Sequence, residues 1–133
     1  MQLRFVLAFT PMVFLSQAHA IDCHNANDQA TMNQCAAQQN QAADGELNTL
    51  YQKITARLKG SPDSKKALIN AQRAWLAFRD AECSFSASAV KGGSVYPLVY
   101  GNCLTDLTKS RVETFKTYLK CQEGDMSCPV PGT

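Results

Sequence analysis

Seven polar side chains recur where helical spacing would turn them inward: Asn33, Asn40, Gln72, Arg79, Glu82, Thr108 and Arg111. Buried charge is costly unless it is paired and hydrogen-bonded, so two arginines and a glutamate on such positions need an account. One account is a satisfied Arg79–Glu82–Arg111 network, supported by Asn33, Gln72 and Thr108, that fixes how the helices meet. The other is a polar pocket whose surplus positive charge could hold a carboxylate or a sugar. A second group is the run Gly92-Gly93-Ser94-Val95-Tyr96. Its glycines allow close backbone approach, and Ser94 and Tyr96 present hydroxyls at low entropic cost, which suits contact with a partner. The plainer alternative is a clamped loop that only closes the fold. No catalytic residues emerge. His24 lies next to Cys23, Asp80 and Glu82 point to different faces of a helix, and no nucleophile–base pair can be assembled. The chain reads as a non-enzyme without cofactor.

These residues are positioned by helices. Asp28 is a good N-cap, and from there to about Lys59 the inward positions Met32, Asn33, Ala36, Asn40, Ala43, Leu47, Leu50, Tyr51, Ile54 and Leu58 keep a helical period. Gly60-Ser61-Pro62 stops this helix, and Asp63 or Ser64 caps the next, from about Lys65 to Phe85. In the second helix Leu68, Ala71, Gln72, Trp75, Phe78, Arg79 and Glu82 share a face, apolar at its start and charged at its end. Trp75 and Phe78 are core positions by this period, while Arg73 and Asp80 point away to solvent. Lys91 to Pro97 reads as a loop by its glycines and proline. The third helix begins near Asn102 and ends near Leu119 or Lys120, with Leu104, Leu107, Thr108, Arg111, Phe115, Tyr118 and Leu119 inward. After Cys121 the tail is irregular. The fold class is therefore all-α: an antiparallel three-helix bundle, stapled by disulfides, around one core.

The 133 residues suffice for one domain. Arg4, the apolar run Phe5 to Leu15, and Ala18-His19-Ala20 read as an export signal at residues 1–20, cleaved after Ala20. The helical domain is then 21–133. The apolar run is too short for a membrane span, and Asp22 before Cys23 excludes a lipid-anchor signal, so the mature chain reads as a monomer in the periplasm or outside the cell. All six cysteines (23, 35, 83, 103, 121 and 128) lie in the mature part, as expected of an exported disulfide framework. Zinc is disfavoured because no Cys-x-x-Cys pair exists. Without Arg4, 12 Lys and Arg face 11 Asp and Glu. So balanced a charge gives no field to steer nucleic acid.

In a bundle of this order the start of the first helix, the end of the second and the start of the third share one end. Cys23, Cys35, Cys83 and Cys103 belong to that end, and Cys121 and Cys128 to the other. Of fifteen possible connectivities, the favoured one is Cys23–Cys35, Cys83–Cys103 and Cys121–Cys128. The first two pairs could exchange partners.

Several stretches together resemble the LprI-like lysozyme-inhibitor domains, small exported helical proteins of bacteria. They are Met32-Asn33-x-Cys35-Ala36, Ala43-Asp44-x-x-Leu47-Asn48-x-x-Tyr51, Ala71-Gln72-Arg73-Ala74-Trp75-x-x-Phe78-Arg79-Asp80-x-Glu82-Cys83, Gly92-Gly93-Ser94 and Cys103-Leu104-x-x-Leu107-Thr108-x-x-Arg111. The likeness spans nearly the whole mature chain. It departs at Thr31, where a glutamate is expected, in the added Cys121 and Cys128, and in the lack of a lipid anchor. The resemblance implies a helical disulfide-bonded fold, export, and lysozyme as a partner. Several unrelated lysozyme inhibitors are similar in chemistry, inserting a loop with Ser and Tyr into the enzyme cleft, where hydroxyls meet its two carboxylates. On that reading Gly92, Gly93, Ser94 and Tyr96 form the contact surface. The alternatives are a periplasmic binder of an anionic or cell-wall fragment at the Arg79/Glu82/Arg111 end, or a structural accessory without ligand.

Overall fold

Asp28 starts the first helix from an extended backbone, its carboxylate accepting the Thr31 N–H at 2.9 Å and the Thr31 hydroxyl at 2.6 Å. Thr31 thus feeds the cap that a glutamate would have completed by reaching back. In the computed structural model, which describes residues 20–132, the helices are α1 (Gln29–Arg57), α2 (Pro62–Ser86) and α3 (Tyr96–Leu119), with short 3-10 turns at Leu58–Gly60 and Ser88–Val90. No strand occurs among the described residues. The export signal read at residues 1–20 lies, apart from Ala20, outside them.

Two helices begin earlier than their sequence signals suggest, for one reason. Pro62 and Pro97 each sit in the first turn, where the missing N–H costs nothing and the fixed φ already suits a helix. Ser61, not Asp63 or Ser64, takes the cap position of α2, and it makes no side-chain cap bond. Asp63 places a carboxylate in the first turn, where the helix dipole favours it. α3 starts at Tyr96 rather than near Asn102, so the connecting loop shrinks to Lys91–Val95.

α1 and α3 lie side by side and parallel, since Asn33 meets Ser94, Ala36 meets Gly101 and Arg57 meets Leu119 in the same order along both. Gly101 makes this approach possible: a Cβ there would stand 3.2 Å from the Ala36 Cβ. α2 runs antiparallel to both, with Arg79 reaching Asp44 and Thr108, and Gln72 reaching Arg111. The principal helix contact is α1 against α3, while α2 rests chiefly on α3 and on the turn after α1. Small residues (Ala36, Ala43, Gly101) let α1 and α3 close, and α2 is left standing off α1.

The core joins Leu47, Leu50, Ile54 and Leu58 of α1 and its turn to Val112 and Phe115 of α3, with Cys121 and Val130 of the tail closing that end. Trp75 packs on its side, half-buried. Phe78, read as core, is 55% exposed. Only a narrow stripe of α2 is covered. Phe78 stands about 60° round the helix from Trp75, and Arg79 takes the inward place. On α3, buried Gly101, Thr105 and Val112 join the inward set, because that helix is contacted on two sides. Arg57, in the last turn of α1, donates to the Leu119 carbonyl at 2.8 Å and satisfies one of α3's terminal acceptors.

The disulfides are Cys23–Cys35, Cys83–Cys103 and Cys121–Cys128, with Cα separations of 5.7, 5.5 and 5.5 Å, as favoured from the sequence. No described cysteine is free.

Candidate functional site

The Lys91–Val95 loop is short and tied down from several sides. Gly92 takes φ +82°, a conformation natural only to glycine. Successive turns bond Lys91 N–H to the Ser88 carbonyl, Gly93 N–H to Val90 and Tyr96 N–H to Gly93, at 3.0 to 3.2 Å. The Asn33 side-chain amide of α1 donates to the Ser94 carbonyl at 2.9 Å, and in turn accepts from the Gln29 amide. Cys83–Cys103 joins the end of α2 to the second turn of α3, so it clamps the loop at its base. Gly92, Gly93 and Ser94 are exposed. Tyr96 is half-buried in the first turn of α3, its ring stacked on Tyr100 with centroids 5.6 Å apart. Of the four loop residues singled out, three are exposed and Tyr96 helps to seat them.

The polar set does not assemble as one network. Arg79, 9% exposed, donates through Nη1 to Asp44 at 2.8 Å and to the Thr108 hydroxyl at 3.2 Å. Its Nε and Nη2 both reach Asp80 at 3.0 Å, and its guanidinium lies 5.4 Å from the Trp75 ring centroid. Asp80, read as pointing to solvent, is therefore a partner of Arg79. Glu82, read as part of the inward network, is exposed and takes no part in an ion pair or side-chain hydrogen bond among the described residues. The reason is positional. Asp44 arrives from α1 at the level of Arg79, whereas Glu82 lies on the uncovered side of α2. Arg79 thus ties the three helices together, one cation held by two half-exposed carboxylates, with a role that reads as structural.

Arg111 lies apart from this cluster. Its Nε donates to Gln72 Oε1 at 3.1 Å, and its guanidinium stacks on Phe115 at 4.7 Å from the ring centroid. Asn33 belongs to the loop, Thr108 to Arg79, and Gln72 to Arg111, so the residues grouped by sequence serve three places. Asn40, also read as inward, is half-buried, and its side-chain oxygen has no partner among the described residues.

Sequence reading missed the groove left between α1 and α2. It has a volume of 510 Å³ and is lined by Asp44, Asn48, Tyr51, Gln72, Arg73 and Leu76, among others. The available signal was weak: the small residues of α1 and α3, which draw those two together at the expense of α2.

Residues 22–115 match the family model described as lysozyme inhibitor LprI. A protein of Rhizobium meliloti (strain 1021), described as uncharacterized, is 34% identical over 113 residues, covering 77% of this chain and 81% of that protein. No solved structure matches.

Proposed function

This chain belongs to the LprI lysozyme-inhibitor family, and from that premise we propose that it is an exported inhibitor that presses the Gly92–Ser94 turn into the lysozyme cleft. The family is one of inhibitors, not enzymes. Three disulfides suit an oxidising, non-cytoplasmic compartment, and no helix among the described residues is long and apolar enough to cross a membrane. Periplasmic or secreted location, after cleavage following Ala20, fits both.

The observation that carries the reading is an exposed turn tethered from several sides. Ser94 offers its hydroxyl to solvent while Asn33 holds its carbonyl, and Cys83–Cys103 fixes the base. A loop ordered before binding loses little entropy on binding. Glycines at positions 92 and 93 leave room for the walls of a cleft, and a serine hydroxyl can donate to a catalytic carboxylate. Tyr96, stacked on Tyr100 at the mouth of α3, supplies the second hydroxyl. The chain acts as a monomer in this reading, with lysozyme as its partner.

A cell-lysis assay tests it. Purified disulfide-bonded protein added to c-, g- and i-type lysozymes should slow lysis by at least one of them in a dose-dependent way. No inhibition of any type at micromolar excess would refute the proposal.

A further inference from the structure

Arg79 and Arg111 face the same problem, a guanidinium partly withdrawn from water, and the fold treats them differently. Arg79 is met by two aspartates. Arg111 has only the Gln72 amide oxygen at its Nε, with the rings of Phe115 and Trp75 lying 4.7 and 5.8 Å from its centre. Ring faces favour a cation but do not satisfy its N–H groups. Among the described residues no carboxylate reaches Arg111 within ion-pair distance, and no protein acceptor meets its two Nη groups. Burial accordingly lowers its pKa from the ordinary value, while Tyr118 acts in the opposite sense. It remains a cation, as arginine does.

Arg111 also lines a cavity of 230 Å³ where the start of α2, the end of α1, α3 and the tail converge. Ile54, Leu58, Leu68 and Val130 give it apolar walls, and the Tyr118 side chain stands beside Arg111. The volume admits roughly eight groups of water size, at ~30 Å³ each. A drug-sized molecule would need more. One unmatched cation on a wall that is mostly apolar, with Ser64 and Tyr118 its other polar residues, selects a ligand with one negative head and a short apolar body. From this geometry we infer that the cavity is a binding site for a small amphiphilic carboxylate, its head on the free Nη edge of Arg111 and its body between Leu58, Leu68 and Val130. The planar guanidinium suits a carboxylate geometrically. A medium-chain fatty acid and the C-terminal residue of an apolar peptide share this chemistry. The site lies about 22 Å along α3 from Tyr96, so it is independent of the inhibitory loop and stands or falls without it.

Isothermal titration calorimetry of the oxidised chain with octanoate, octylamine, acetate and N-acetyl-leucine tests the inference. Octanoate should bind, octylamine should not, and acetate should bind at least about ten-fold more weakly for want of a body. N-acetyl-leucine binding as tightly as octanoate or tighter identifies a peptide terminus as the natural source. Weaker binding identifies the free acid. Arg111→Gln should weaken octanoate about ten-fold or more, the loss of a charge-assisted hydrogen bond. Since Arg111 also packs on two rings, Ala67→Leu serves as a second variant: Ala67 is an exposed residue of the cavity rim, and the added bulk should weaken octanoate while leaving acetate unchanged. Three results would each overturn the site: no octanoate binding, equal binding of octanoate and octylamine, or undiminished affinity in a folded Arg111→Gln chain.

Discussion

Arg79 holds α2 to its neighbours through Asp44 and Thr108, and its identity as an inward residue was legible from the helical period. Its partner was not. A helical wheel ranks positions on one helix, and Asp44 comes from another, 35 residues earlier; Glu82 was the nearest acid on the wheel and proved exposed. The energetic consequence separates the two. Arg79→Ala should lower unfolding free energy in urea by about 2–3 kcal/mol, discounted for the half-exposed aspartates, whereas Glu82→Gln should stay within about 0.5 kcal/mol. Equal effects would mean that Glu82 supports the fold after all. At the start of α1, the Thr31 hydroxyl and then its N–H hold Asp28 below the ordinary carboxylate pKa of 3.8. Asp22 and Asp125 are lowered as well, by Asn25 and Ser127 first. A lowered folded pKa gives stability that is present above the unfolded value and is lost as pH falls through the folded one. The melting temperature should therefore drop below about pH 4. In Thr31→Ala an NMR titration should find Asp28 moved back up toward 3.8, and an unmoved Asp28 would deny the cap its role.

Three helices and their order were readable because apolar period and turn residues speak to helix identity and chain direction, and cysteine placement favoured the observed disulfide pairing while leaving the first two pairs open to exchange. The packing distances were not readable. Gly101 falls just before the third helix as read from the sequence, yet it sits in α3, where an added Cβ would stand 3.2 Å from that of Ala36. Gly101→Val should destabilise by about 1–3 kcal/mol through overpacking, measured by thermal or urea unfolding. Stability raised instead, by the better helix propensity of a non-glycine, would show that α1 and α3 can part freely. The consequence of their closeness is the half-covered α2. Phe78→Ser should change stability by no more than about 0.5 kcal/mol, and Trp75→Ala should cost about 2–3 kcal/mol, less than a fully buried tryptophan because its ring is only partly covered. A large cost at Phe78 would mean that α2 is covered in solution by something beyond this chain. The early start of α3 was hidden by Pro97, which reads as a breaker until it is seen in a first turn.

As a whole the molecule divides its work along the bundle axis. At one end Cys23–Cys35 and Cys83–Cys103 brace α1, α2 and α3 around an exposed turn. At the other, the Cys121–Cys128 hairpin lays Val130 on the core, a contact with no period to announce it. The recognisable Trp75–Cys83 segment lies between them and acts as the brace, with Arg79 gripping α1 and α3 and Cys83 gripping the base of the loop. Few charges are spare for steering, so affinity for a partner must come from fit and pre-ordering, which are properties of the loop. The most direct measurement is the inhibition constant of the double variant Ser94→Ala/Tyr96→Phe against the lysozyme type that the wild-type chain inhibits. Both changes remove hydroxyls and keep the ring stack on Tyr100. Inhibition should weaken by about ten-fold or more, with the melting temperature unchanged. Undiminished inhibition by a normally folded double variant would contradict the account and shift the contact to another face, with the groove between α1 and α2 the first to test.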